Sequence, residues 1–213
     1  MYMSKIELDM AKSSRLGVYE AHQALWKLFS DSPDRERDFL YRRLDTASFL
    51  TVSRRRPDRR GFVHTMQSKE YAPVLSAGDR LMFSLRFNPV VKRRNENGRQ
   101  VRVDMVQDER QRLMREGAQL PPRPEIAEGV AETWLDKRRR DLGLSPEPAS
   151  LMVESYDQVR FRRHGGKRPV VLSCIDVRGF AAVDDTALLE RALFNGVGCA
   201  KGFGFGLLLI RRA

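Results

Sequence analysis

The chain has 213 residues, with 39 lysines and arginines against 28 aspartates and glutamates, a formal charge of +11 and a pI near 10.2. At 41% hydrophobic and 31% charged, with a mean hydropathy of −0.49, it is too apolar for a disordered tail, and its apolar runs fall far short of the roughly 20 residues a spanning helix needs. Lys5, Glu7 and Asp9 at the start predict no signal peptide, and two cysteines, Cys174 and Cys199, predict a reducing, cytoplasmic setting rather than a disulfide scaffold.

In chain order, residues 2–9 alternate, with Tyr2, Ser4, Ile6 and Leu8 on one side and Lys5 and Glu7 on the other, which predicts a strand. A turn follows at Ser13–Gly17. Val18, Ala21, Leu25 and Leu28 fall at i, i+3, i+7 and i+10, the core-facing stripe of a helix over Val18–Phe29. Strands are expected at Asp38–Leu44 and Ser48–Ser53. The span 57–79 is interrupted by Pro57, Gly61, Pro73 and Gly78, so any helix there is short. Arg80–Phe87 reads as the strand that closes this half, giving β-α-β-β-(α)-β.

The basic stretch 92–102, with Asn97-Gly98, reads as a linker or hairpin, and Gln100–Asp104 as a possible first strand of a second unit. Helices are expected near 107–116 and 125–142, the second closed by Gly143. Leu151–Arg163 and Pro169–Phe180 read as a hairpin tipped by His164-Gly165-Gly166. Asp184 or Asp185 caps a helix through Phe194, and Gly206–Arg211 is a last strand. The predicted architecture is α+β, two tandem ferredoxin-like domains with antiparallel sheets: 1–90, a basic linker 91–104, and 105–213.

The positive charge is clustered. Arg54–Arg60, Lys92–Arg102, Lys137–Arg140 and Arg160–Arg168 carry 19 of the 39 basic residues. One such run is ordinarily a solvated loop or helix end, but four dominated by arginine point to phosphate, which a guanidinium grips with two parallel hydrogen bonds. Lys201–Phe205 (KGFGF) imitates the RNA-recognition-motif signature, yet too little chain follows it for the helix and strand that signature requires. Read more widely, Gly196–Gly206 is a glycine-rich connection, suited either to tight turns or to backbone contact with a phosphate.

The three histidines, His22, His64 and His164, are far apart, and no cysteine–histidine spacing suggests a metal. His22 lies about 40° around the helix from Val18, at the edge of the apolar stripe. Tyr19 neighbours it on that helix, and Lys27 sits about 140° away. A half-buried structural histidine is the plainer reading. An imidazole that exchanges a proton near neutral pH is also what RNA cleavage by its own 2′-hydroxyl requires.

Met1–Met10 (MYMSKIELDM), Tyr19–Phe29 (YEAHQALWKLF), Arg37–Tyr41 (RDFLY), Leu85–Pro89 (LRFNP) and Gly196–Leu208 (GVGCAKGFGFGLL) together resemble the CasE type of CRISPR repeat-RNA endoribonuclease, the crRNA-processing subunit of Cascade. The resemblance spans essentially the whole chain and is weakest over 104–150. It implies tandem ferredoxin-like domains and cleavage 3′ of a CRISPR repeat RNA hairpin without metal or cofactor. It implies retention of the mature guide RNA among other Cascade subunits, with no membrane partner. Carried over, the catalytic residues fall on His22 and Tyr19, with Lys27 matching a lysine used in some members. The RNA-binding arm falls on Arg160, Arg162, Arg163, His164, Lys167 and Arg168, and the glycine loop on Gly196, Gly198, Lys201, Gly204 and Gly206. Lys137, Arg138 and Arg139 are further expected RNA contacts. Phe203 and Phe205 depart from the smaller residues expected in that loop. The alternative is a non-catalytic protein that binds structured RNA, and a blander one is a basic ribosome- or DNA-associated protein.

Overall fold

A computed structural model describes residues 1–9, 16–32, 34–162 and 168–213. The turn expected at 13–15, and the hairpin tip with Arg163, His164, Gly165, Gly166 and Lys167, lie outside the described residues.

The first sheet contains β1 (Tyr2–Leu8), β2 (Phe39–Arg43), β3 (Ser48–Ser53) and β4 (Val63–Glu70), all antiparallel, in the order β2-β3-β1-β4. Alternation in β1 turns Ser4, Ile6 and Leu8 inward. Across them lies α1 (Val18–Phe29), which buries Ala21, Leu25 and Leu28 of the expected stripe together with Phe29, while Val18 is only half-buried. Phe29 stacks on Phe39 at 4.2 Å. The β2–β3 turn is built by Asp45, whose Oδ1 accepts from the backbone N–H of Ala47 and Ser48, both at 2.9 Å. The bond from Ala47 leads the causes that hold this carboxyl below its ordinary range.

The second sheet contains β5 (Arg80–Phe87), β8 (Leu144–Pro146), β9 (Met152–Phe161), β10 (Val170–Val183) and β11 (Leu208–Arg212). Its path is β11-β5-β10, with β9 and β8 both paired to the long β10. Setting β8 aside, each sheet places its own strands as fourth, first, third, second, the ferredoxin-like order. Between β5 and β8 come β6 (Val90–Arg94), β7 (Gln100–Asp104), α2 (Met105–Arg115), α3 (Arg123–Asp136) and α4 (Arg139–Leu142). Asp104 caps α2 by accepting from the N–H of Val106 and Gln107. Gly143, at φ +63, ends α4. Asp185 caps α5 (Thr186–Asn195), accepting from Leu188 N–H. The core packs α3 and α5 on the sheet, with Trp134 stacked on Phe87 at 4.1 Å.

Three expectations are corrected. The span 57–79 holds the strand β4 and no helix. Arg80–Phe87 does not close the first sheet but is a central strand of the second, so the expected boundary at 90 cuts through the second unit. Among the described residues, Gln100–Asp104 pairs with β6 alone, in a two-stranded hairpin. The reason is physical. β4 is an edge strand with Val63 alone fully buried, so it has no apolar signature. β5 buries Leu81, Phe83, Leu85 and Phe87 in strict alternation, which shows a strand with one buried face but not which strands pair with it.

The two units are joined by Leu40, Val52 and Leu207 and by a charged clamp. Arg42 of β2 donates to Ser84 Oγ at 2.7 Å and to Asp176 Oδ1 at 3.1 Å. Arg86 grips the same buried carboxylate with two nitrogens, at 2.9 and 2.7 Å. Among the described residues no helix is long and apolar enough to cross a membrane.

Candidate active site

The stripe that buries Ala21 and Leu25 leaves His22 half-buried on the flank of α1, facing the glycine-rich connection. Its ring lies 5.4 Å from that of Phe203, 6.3 Å from Trp26 and 6.5 Å from Tyr19, centroid to centroid. Phe161, the last residue of β9, stacks 6.4 Å from Tyr19 and sits 4.7 Å from Phe203. The base of the basic arm is therefore docked on the helix that carries His22 and Tyr19. Arg160 and Arg162, on either side of buried Phe161, are exposed, as is Arg168 on the return strand, and none of the three makes an ion pair among the described residues. Phe203 and Phe205 have different roles: Phe203 joins the His22 cluster, whereas Phe205 is core.

Lys201–Phe203 is a single 3₁₀ turn, not a strand, consistent with setting aside the RNA-recognition-motif reading. The glycines around it divide into two kinds. Gly196, Gly198, Gly204 and Gly206 all have positive φ, and a Cβ on any of them would strike the protein itself. At Gly206 it would stand 2.4 Å from the Val197 carbonyl oxygen, and at Gly204 3.0 Å from the Tyr41 ring. These residues shape the loop by close packing. Gly202 is different: a Cβ there would meet Arg37 Nη1 at 2.7 Å and His22 Cε1 at 3.7 Å. Its bare Cα leaves room for both groups. The turn is tethered by Tyr41, whose hydroxyl donates to Gly202 O at 3.2 Å and whose phenol is pushed up by burial.

Arg37 precedes β2 and makes no ion pair among the described residues. The residue keeps solvent access, while packing around its guanidinium lowers its pKa from the usual arginine value. Lys201 stands close by. Its Nζ donates to Asn195 O at 2.8 Å, and burial, then the Arg37 charge, lowers its pKa. Two neighbouring cations, neither of them ion-paired among the described residues, make a place for an anion.

Lys27 is not brought to His22. It is exposed and lines a shallow cavity of about 190 Å³ with Leu8, Glu20 and Phe62, which contains no member of the His22 cluster. The Lys137–Arg140 run is divided. Lys137 is exposed, Arg138 lies over the Trp134 ring at 4.0 Å, and Arg139 pairs with Asp184 and Ser145. Sequence reasoning missed Arg37 and Gly202. Arg37 has no periodic signature, and Gly202 was one glycine among several in its loop. Among the described residues no group of three or more His, Cys, Asp or Glu is placed to hold a metal ion.

Comparison with known proteins completes the picture. The family model of "CRISPR associated protein" matches residues 1–212. "CRISPR system Cascade subunit CasE" of Escherichia coli K12 is 28% identical over 214 residues, covering 98% of each chain. "CRISPR-associated endoribonuclease Cse3" of Thermus thermophilus is 26% identical over 232 residues, covering 99% of each. Among solved structures, CRISPR endoribonuclease Cse3 bound to a 19-nucleotide RNA superposes with a TM-score of 0.72 at 23% identity, over 99% of this chain and 100% of that one. The shared tandem ferredoxin-like fold and the match from one end to the other agree: the chain belongs to the CRISPR-associated protein family, as a relative of CasE and Cse3.

Proposed function

We propose that this chain is a metal-independent endoribonuclease of the cytoplasm. It cuts CRISPR precursor RNA on the 3′ side of the repeat hairpin by 2′-hydroxyl attack, then holds the mature guide RNA as a Cascade subunit. The observation that carries the reading is His22 and the unpaired Arg37 guanidinium meeting over Gly202, beside the docked base of the basic arm. In such a cleavage a base removes the 2′-OH proton and the oxygen attacks the adjacent phosphorus. An acid then protonates the departing 5′-oxygen, leaving a 2′,3′-cyclic phosphate and a 5′-hydroxyl. His22 performs one of the two proton transfers. Tyr19 orients the imidazole or the ribose. Arg37, which makes no ion pair among the described residues, steadies charge on the phosphorane, as does Lys201 behind it. Lys27 would reach the reacting phosphate only if substrate curled around the end of α1.

The stem is held by the arm, where exposed Arg160, Arg162 and Arg168 make no ion pair among the described residues and are available to phosphate. The test is incubation of purified protein with its repeat RNA hairpin in EDTA. One cleaved phosphodiester with a cyclic phosphate end is the expected result. Loss of cutting in chelator, or full activity of His22→Ala, overturns it.

A further inference from the structure

Beside the candidate active site, the segment leading into β2 and the C-terminal end of α5 enclose a cavity of about 340 Å³. Arg35, Arg37 and Arg54 line it, together with Phe194 and Asn195. The run Arg54–Arg60, which the active site does not use, has mostly internal partners. Arg55 pairs with Asp38 at 3.0 Å and Asp31 at 3.4 Å, Arg56 lies over Tyr2, Arg59 donates to His64 O, and Arg60 faces Asp58. Arg35 is taken by Asp31 at 2.7 Å. Arg54 is the exception: it is exposed and, among the described residues, has no side-chain partner.

The acids on the cavity are Glu36 and Asp38. Asp38 is engaged by Arg55. Among the described residues, Arg37 and Arg54 thus have no ion-pair partner, against one such carboxylate, Glu36, and the Lys201 ammonium is held on the wall residue Asn195. Of the two rings on the walls, Phe39 is buried and stacked on Phe29, and Phe194 is half-buried in a T-shaped contact with Tyr71 at 5.8 Å. A cavity of this size is on the scale of a drug-sized ligand and does not take a duplex.

We propose that this cavity is a subsite for the sugar–phosphate backbone of single-stranded RNA continuing beyond the cleaved bond, with Arg54 as its outer phosphate contact. The inference rests on the endoribonuclease reading above. Arg37 supplies the continuity, because it lines the cavity and also closes on Gly202 beside His22. The arm reaches His22 through Phe203, and Arg37 reaches it from the first sheet. Stem and departing strand therefore meet at the imidazole.

The experiment compares three RNAs, each carrying 2′-deoxyribose at the cleaved position where that position is present. They are the repeat hairpin with several nucleotides beyond the cleaved bond, the same hairpin ending at that phosphate, and the extended hairpin with uncharged methylphosphonates in the extension. Arg54→Ala should weaken the extended hairpin about tenfold and leave the trimmed one unchanged. Methylphosphonates should cost the wild-type protein at least the same factor and Arg54→Ala correspondingly less. Equal losses on extended and trimmed RNA, or no loss on either, overturn the subsite even though the wild-type protein cuts its hairpin. A wild-type protein that cuts no repeat hairpin overturns the nuclease reading and the subsite with it.

Discussion

The Arg37 guanidinium and the His22 imidazole close on the same glycine. From the position a Cβ would occupy on Gly202, Arg37 Nη1 is 2.7 Å away and His22 Cε1 3.7 Å. One residue comes from the segment before a strand and the other from the flank of a helix. What unites them is a turn near the far end of the chain, tethered by Tyr41.

His22→Ala should lower cleavage of a repeat hairpin by roughly 10²- to 10⁴-fold, the usual worth of a positioned general acid or base. Affinity for the hairpin should change little, because the arm and the cations around Gly202 remain. Gel-shift and single-turnover cleavage on the same preparation separate the two quantities. Parallel loss of both would make His22 a packing residue.

Gly202→Ala and Gly206→Ala should fail in different ways. At 202 the new methyl meets the mobile end of Arg37, so the guanidinium moves; stability should stay within about 0.5 kcal/mol while cleavage falls about tenfold. At 206 the methyl meets the Val197 carbonyl oxygen at 2.4 Å on a backbone at φ +80, and the loss of stability should reach about 2 kcal/mol or more. Chemical denaturation and cleavage assays on both variants check the contrast.

Asp176→Ala should weaken the union of the two units. It leaves Arg42 and Arg86, both turned toward one buried carboxylate, without a counter-charge. Breaking such a pair costs about 3 kcal/mol, a fall in Tm of roughly 6–12 °C for a chain of this size. A Tm within a degree or two of the wild type would show that the apolar seam carries the union alone.

Cys174 is buried, and burial, ahead of its charged neighbours, pushes its thiol up to about 12. In the native state it should resist alkylation at pH 8, while half-exposed Cys199 reacts. The same shift has a stability consequence. Unfolded, the thiol ionises near 9.0; folded, it keeps its proton to about 12. Its contribution is therefore whole below pH 9 and is lost as pH rises toward 12. Cys174→Ala should flatten that alkaline decline in a denaturation series.

Local pattern by itself determined much of this protein. The α1 stripe apart from Val18, the alternation of β1 and β5, an aspartate cap at 184 or 185 and the clustering of arginines follow from spacing and residue chemistry and form where they were read. The tandem ferredoxin-like class was legible for the same reason. The helix read over 125–142 is instead broken, α3 ending at Asp136 and Gly143 closing the separate α4. What only the tertiary structure decided was which strand joins which sheet and which cations are free. β4 could not be read, because an edge strand buries too little to leave a pattern, and β5 was assigned to the wrong sheet because hydrogen-bond partners are not encoded in alternation. Arginine counts could not separate Arg55, spent on Asp31 and Asp38, from Arg54 one residue away, nor Lys27 on an outer face from Arg37 beside His22. Charge is a property of composition; whether a charge is already neutralised depends on groups that folding brings together from distant parts of the chain.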